Sequence, residues 1–126
     1  DGWAPLAHWL SRIAVNVCID FLRAEARRPE LRWADLSEAE AEALSATVAG
    51  TMTEAPDAVA ASDLTTKLLD ALDPKDRMIV QMMDLEGRTV REVQDLTGWG
   101  ESAIKIRAFR ARRKLRKTIL KLEKER

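Results

Sequence analysis

The sequence contains few of the residues on which enzyme chemistry and extracellular stability most often depend. Its 126 residues include one cysteine, Cys18, one histidine, His8, and no tyrosine. A single cysteine excludes an internal disulfide, and these two residues alone cannot provide a zinc ligand set or a nucleophile–base pair. We therefore expect no metal, cofactor or catalytic residue. Cys18 is interpreted as a buried, small apolar residue and His8 as a packed or surface residue.

Long apolar runs and glycine-rich loops are also missing. No apolar stretch approaches the roughly 20 residues of a membrane span, and the first residues lack the basic-then-apolar pattern of a signal peptide. Gly98 and Gly100 fit a tight turn rather than a phosphate-binding loop. These absences predict a cytoplasmic protein that has no membrane insertion and no small-molecule substrate.

The charges balance in total but are unevenly distributed along the chain. There are 21 basic and 21 acidic residues, for a formal net charge of zero. Residues 30–63 carry eight acids and one base, whereas residues 101–126 carry eleven bases and three acids. Such asymmetry is typical of proteins that bind nucleic acid, although charge alone fits a solvated basic helix equally well.

Hydrophobic periodicity predicts an all-α protein. Residues 5–27 form one predicted helix, which ends before Pro29 because proline cannot continue a helix. Its large apolar side chains recur at steps of three and four residues and are interpreted as a packed face. They are Leu6, Trp9, Leu10, Ile13, Val17 and Phe21.

The middle of the chain, residues 30–56, is rich in Ala, Glu, Ser and Thr and has a thin apolar face. Alanine and glutamate favour a weak helix there, but the composition indicates an acidic linker. Two roles stay open for this linker. It could act as a nucleic-acid mimic inside a basic channel, or simply as a solvated tether.

Four helices with short connections are predicted after residue 56. They cover about 57–72, 74–86, 90–97 and 101–122, and the first has Val59, Leu64, Leu68 and Leu72 on its inner side. Asp73 and Pro74 suit the N-cap and first position of the second helix. Thr89 and Glu92 form a capping-box pair at the start of the third.

The last two of these helices and the glycine turn between them form a candidate helix-turn-helix. On a helical wheel, Ile104, Ala108, Ala111, Leu115 and Leu122 share one side of the final helix, and basic residues share the other. Such a helix inserts its first turns into the major groove, so base edges and phosphates would meet its exposed side. The candidate contacts are Glu101, Ser102, Ala103, Lys105, Ile106, Arg107, Arg110, Arg113 and Lys114.

The run ALDPKDRMIVQMMDLEGRTVREVQDLTGWGESAIKIRAFRARRKL resembles the promoter-reading region 4 of extracytoplasmic-function (group 4) sigma factors of bacterial RNA polymerase, in the sigma-70 family. The matching positions include Glu86-Gly87, Gly98, Lys105, Arg107 and Arg110-Ala111-Arg112. Ala103 and Ile106 depart from the family's usual threonine and serine, so the promoter preference is expected to differ.

A second stretch, HWLSRIAVNVCIDFLRAEARRP, resembles the region 2.3–2.4 helix of the same family. This resemblance implies a segment from region 2 at residues 1–29, lacking the N-terminal part of that region. The acidic linker would then cover 30–56 and region 4 would cover 57–126. It also implies that Arg12, Asn16, Asp20 and Arg23 contact the −10 region of a promoter.

The resemblance implies a sigma factor that directs polymerase to promoters and is not itself an enzyme. Its partners would be promoter DNA, core RNA polymerase and an anti-sigma factor. Two alternatives stay open from the sequence. One is a stand-alone helix-turn-helix regulator, and the other is a sigma fragment that serves as an anti-sigma or protein-interaction module.

Overall fold

A computed structural model describes residues 3–25, 30–50 and 57–126 of the chain. The described residues are helical or irregular and contain no β-strand, which confirms the all-α class. Six α-helices occur in this part of the chain, together with one 3₁₀ turn at Trp33–Asp35 and one π-helical turn at Gln81–Leu85. The helices are α1 (Trp3–Glu25), α2 (Glu38–Ala49), α3 (Ala58–Asp70), α4 (Pro74–Val80), α5 (Val90–Thr97) and α6 (Glu101–Glu125).

The helices fall into two compact units, and α6 begins in the first and ends in the second. The first unit combines Asp1–Arg27 with Asp73–Arg112, and the second combines Arg28–Leu72 with Arg113–Arg126. This division by packing differs from the predicted segments 1–29, 30–56 and 57–126. Those boundaries describe functional regions and stay a prediction.

The core of the first unit lies where α4, α5 and the start of α6 meet. Ile79, Val93 and Ile104 are completely buried there, and Met82 and Ala108 are nearly so. The predicted caps form as expected: Asp73 accepts a hydrogen bond from the Lys75 amide, and Pro74 occupies the first turn of α4. The predicted helix 74–86 is regular only to Val80, because the π-helical turn follows.

The second unit contains a packed helix within residues 30–56, where the sequence predicted an acidic linker with a weak helix. Within 30–56, α2 folds and buries Ala43 and Leu44 against Leu64 of α3 and Leu122 of α6. The helix starts at a capping box, in which Ser37 accepts from the Glu40 amide and Glu40 accepts from the Ser37 amide. Residues 51–56, the end of the predicted linker, lie outside the described residues.

Packing of α1 differs most from its prediction. The helix forms, but its buried side chains are Val15 and Ile19, whereas the predicted packed face is exposed. Trp9 is 59% exposed and Phe21 is 64% exposed, so their interpretation as core residues is wrong. The exposed large apolar residues of α1 are Leu6, Trp9, Leu10, Ile13, Val17 and Phe21.

Two further burial predictions are wrong. Cys18 is exposed rather than buried, and it borders an open groove that Met78 of α4 also lines. Val59 is 69% exposed, because α3 packs through Ala60, Leu64 and Leu69 instead. The rest of the predicted inner side is buried or half-buried, since Leu64 and Leu72 are buried and Leu68 packs against the core.

An ion pair between a buried glutamate and a partly exposed lysine links α2 to α3 in the second unit. Lys67 Nζ lies 2.9 Å from Glu40 Oε1 and donates a 2.8 Å hydrogen bond to the Asp35 carbonyl. Burial raises the pKa of Glu40, but hydrogen bonds from Lys67 and Ser37, with the Lys67 charge, hold it below its usual value. The Glu40 carboxylate therefore stays ionised inside the unit at neutral pH.

We expect Lys67→Met to lower the free energy of unfolding by about 1–3 kcal/mol at pH 7, because it leaves a buried carboxylate without its partner. The folded-state pKa of Glu40 is depressed, so its stabilising contribution is present above the unfolded value of about 4.3 and is lost as the pH falls through the folded pKa. The difference between wild type and variant should therefore narrow in acid. Urea denaturation followed by circular dichroism measures both effects.

The double variant Glu40→Gln/Lys67→Met is the matched control, since it removes both charges together. It should lose less stability than Lys67→Met alone. Equal losses in the two variants, or a loss for Lys67→Met that does not change with pH, would show that the pair does not act through the Glu40 charge.

Candidate nucleic-acid interface

The joint between α5 and α6 has the geometry of a helix-turn-helix. Thr89 and Glu92 form the predicted capping box that starts α5. Gly98 ends α5 with a φ of +75°, a left-handed conformation that strains residues with a side chain. The Gly100 carbonyl then accepts from the Ile104 amide, which begins α6. Gly98 and Gly100 thus lie in the short turn that joins α5 to α6.

The first turns of α6 pack on α4 and α5 through one apolar stripe. Ile104, Ala108 and Ala111 are at most 2% exposed, and Leu115 is half-buried. Alanine at two of these positions lets α6 approach its neighbours closely. The predicted packed side of α6 is therefore confirmed for its whole length, since Leu122 is also buried.

The opposite side of α6 is open to solvent. Eight of the nine predicted contact residues on this helix are exposed, and Arg107 is half-buried. Two large apolar residues, Ile106 and Phe109, are also exposed among the basic side chains at 50% and 67%. The exposed set is Glu101, Ser102, Ala103, Lys105, Ile106, Arg110, Arg113 and Lys114.

Two arginines of α6 are paired with acids inside the first unit. Arg107 Nη1 lies 2.9 Å from Asp76 Oδ1 and 3.5 Å from Asp73 Oδ2, both at the start of α4. Arg112 donates hydrogen bonds of 3.0 and 2.8 Å to the two carboxylate oxygens of Asp84, in the π-helical turn, and these raise the pKa of its guanidinium. The basic side of α6 therefore contains both paired and unpaired charges.

Two charged residues in the first turns of α6 form an ion pair with each other. Lys105 Nζ lies 2.9 Å from Glu101 Oε1, one helical turn away. The hydrogen bond from Lys105, aided by its charge, lowers the pKa of Glu101. Because both side chains are more than half exposed, the pair is well hydrated and weak, and either side chain can exchange the other for a different partner.

One cation beside the turn was missed in the sequence. Lys75 Nζ lies 5.6 Å from the centre of the Trp99 ring, a cation–π contact. Both side chains border a shallow hollow with Gly100 and Ala103. A lysine one residue after a helix-starting proline carried no periodic signal, so only the fold brings it to the start of α6.

The four residues predicted to contact a −10 region lie on α1, and all four are exposed. In the first unit α1 packs against α5 and α4. The Arg12 side chain lies over the turn: a Cβ placed on Gly98 would be 2.9 Å from Arg12 Nε.

No cluster of histidine, cysteine, aspartate or glutamate suited to a metal ion occurs among the described residues. Within those same residues, none of the helices has the combination of length and apolar character needed to cross a bilayer.

Comparison with known families supports a relationship for the second half of the chain. Residues 62–115 match the model of the family described as Sigma-70, region 4. The match covers α3 from Ser62 onward, α4, the π-helical turn, α5 and α6 as far as Leu115, which is less than half of the chain. Comparisons with curated proteins and with solved structures gave no match. Similarity to a sigma-70 family domain thus coincides with the helix-turn-helix.

We expect Glu101→Gln to tighten binding to a random-sequence DNA duplex severalfold at low salt. The change removes a negative charge next to a polyanion and releases Lys105 from its partner. Because the pKa of Glu101 is lowered, its carboxylate is ionised at neutral pH and the gain should not vary between pH 6 and 8. Fluorescence anisotropy with a labelled duplex measures the affinity.

Glu42→Gln serves as the matched control, because Glu42 is an exposed glutamate on α2. This variant should bind the duplex as wild type does. Unchanged or weaker binding by Glu101→Gln would contradict a location of the α6 N-terminus next to DNA.

Proposed function

We propose that this chain is a sigma factor subunit of the extracytoplasmic-function group, which directs RNA polymerase to promoters. In this role α6 reads the −35 element in duplex DNA, and the protein has no catalytic role. The main support is the exposed, basic side of α6 that the helix-turn-helix presents, within a segment that matches a sigma-70 region 4 family model.

The exposed residues of α6 divide by their distance along the helix. Glu101, Ser102, Ala103, Lys105 and Ile106 lie in the first turns, which enter the major groove in helix-turn-helix complexes. Lysine is suited to guanine O6 and N7, and an apolar side chain such as Ile106 is suited to the thymine methyl group. Arg110, Arg113 and Lys114 lie further along and would contact phosphates, where they add affinity without sequence preference.

Contact of α1 with the −10 region is the second part of this proposal. The two promoter elements lie about 25 base pairs apart, or roughly 85 Å of duplex. A helix of the length of α1 extends only about 35 Å. Because α1 packs against α5 in the first unit, Arg12, Asn16, Asp20 and Arg23 would reach a −10 element only after α1 separates from the helix-turn-helix.

A protein-interaction module is the second candidate function, and one observation favours it. The apolar stripe of α1 is exposed, and it continues into a groove bordered by Val17, Phe21, Leu22 and Met78. An anti-sigma factor or core polymerase would supply the apolar surface that such a stripe requires. The test is a pull-down of this chain by purified core polymerase. If the Trp9→Glu variant is captured as well as the wild type, the stripe is not the surface that binds polymerase.

We expect Lys105→Ala and Arg113→Ala to weaken DNA binding in different ways. Lys105→Ala should reduce discrimination between a preferred and a random duplex by about 1–3 kcal/mol, because a base contact is lost. Arg113→Ala should weaken both duplexes alike and reduce the salt dependence by about one ion. The preferred duplex is obtained by enrichment from a randomised library with the wild-type chain.

Titrations of both duplexes at several salt concentrations give the discrimination between the duplexes and the salt dependence of binding for each variant. Lys117→Ala, another exposed lysine of α6 beyond the proposed contacts, is the control and should change neither. Equal loss on both duplexes for Lys105→Ala would reject its role in base reading. Binding that is insensitive to salt in the wild type would reject the DNA-binding function itself.

A further inference from the structure

The basic residues on the first half of α6 fall into two classes that the sequence does not distinguish. Arg107 and Arg112 are paired with carboxylates of the first unit. Arg110 and Arg113 are exposed and have no ion pair within the described residues. All four arginines lie within seven consecutive positions, so their classes are set by the acids that the fold brings near them.

We propose that Arg107 is a positioning residue for DNA binding rather than a phosphate contact. Its pairs with Asp76 and Asp73 fix the orientation of α6 relative to the start of α4. They thereby set the direction in which the first turns of α6 enter the major groove of DNA. This inference rests on the proposed function and deepens it. It also reassigns one of the predicted contact residues.

The contact geometry supports this role. Arg107 Nη1 donates a 2.9 Å hydrogen bond to Asp76, whose side chain is only 20% exposed. The Arg107 side chain is 39% exposed, and its Nη1 lies near two acids at the start of the same helix, α4. A charge-assisted hydrogen bond to a largely buried carboxylate is stronger and more directional than an exposed surface pair.

The charges at this position argue against a direct phosphate contact. A phosphate approaching Arg107 would meet Asp73 and Asp76 at the same time and would be repelled by both. Moving the guanidinium to the phosphate would also leave Asp76 without this hydrogen bond. Arg110, three residues further along α6, is exposed and makes no ion pair within the described residues, so its guanidinium is the better placed of the two for a phosphate contact.

The two roles predict opposite signs for Asp76→Asn. If Arg107 contacts phosphate, removing a negative charge beside it should strengthen DNA binding. If Arg107 positions α6 through Asp76, the change should weaken binding to the enriched duplex, roughly five- to tenfold. We expect the weaker binding. Asp76→Glu, which keeps the charge but moves the carboxylate, should also weaken binding.

The salt dependence of DNA affinity distinguishes a phosphate contact from a positioning role. Loss of a phosphate contact lowers the slope of affinity against salt concentration, whereas loss of a positioning residue leaves the slope unchanged. Arg107→Gln should weaken binding without changing the slope of affinity against salt, whereas Arg110→Gln should lower that slope by about 0.9. Asp95→Asn is the matched control, because Asp95 is an exposed acid on α5 in the same unit. It should bind as tightly as wild type or slightly more tightly.

The outcomes separate this proposal from the function on which it rests. Tighter binding by Asp76→Asn, or a lowered salt slope for Arg107→Gln, overturns the positioning role while DNA binding by the wild type stands. Absence of salt-dependent binding by the wild type overturns both. Circular dichroism melting of each variant verifies folding, and if Asp76→Asn is unfolded, Asp76→Glu and Arg107→Gln decide the question.

Discussion

Packing of a few completely buried side chains is the constraint on which the candidate interface depends. Ile79 of α4, Val93 of α5 and Ile104 of α6 have no exposed surface, and Ala108 is small enough to bring the backbones together. Because this contact places one side of α6 inside, it places the basic side outside. The turn at Gly98 sets the direction of α6, and this core keeps it there. The basic residues of α6 therefore form one exposed surface only because the apolar core holds the opposite side of the helix inside.

The helix-turn-helix could be predicted almost completely from the sequence. The capping pair of Thr89 and Glu92, the Gly98 turn and the stripe of α6 are local signals, and each was found where it was expected. Local signals of this kind do not depend on distant partners, so the structures that they predict are the ones found in the folded chain.

Predictions that required knowledge of a distant partner were less successful. The apolar stripe of α1 was expected to pack, but it is exposed, since the fold uses Val15 and Ile19 instead. Only a weak helix with a thin apolar face was expected within the acidic linker 30–56, but Ala43 and Leu44 of this helix pack against α3 and α6. The capping box of Ser37 and Glu40 is a local signal for this helix that was missed in the sequence. The pairing of Arg107 with Asp76 could not be predicted, because 31 residues separate the two.

The π-helical turn at Gln81–Leu85 has a consequence for comparing this chain with others. In this turn the Glu86 amide donates to the Gln81 carbonyl, five residues back, whereas a regular α-helix bonds four residues back. The turn therefore contains one residue more than an α-helix of the same rise, and it presents Asp84 to Arg112. Alignment with a relative whose helix is regular needs a gap of one position between 81 and 85. Without that gap, the last residues of the turn, Asp84 among them, would be compared with the neighbours of their structural counterparts.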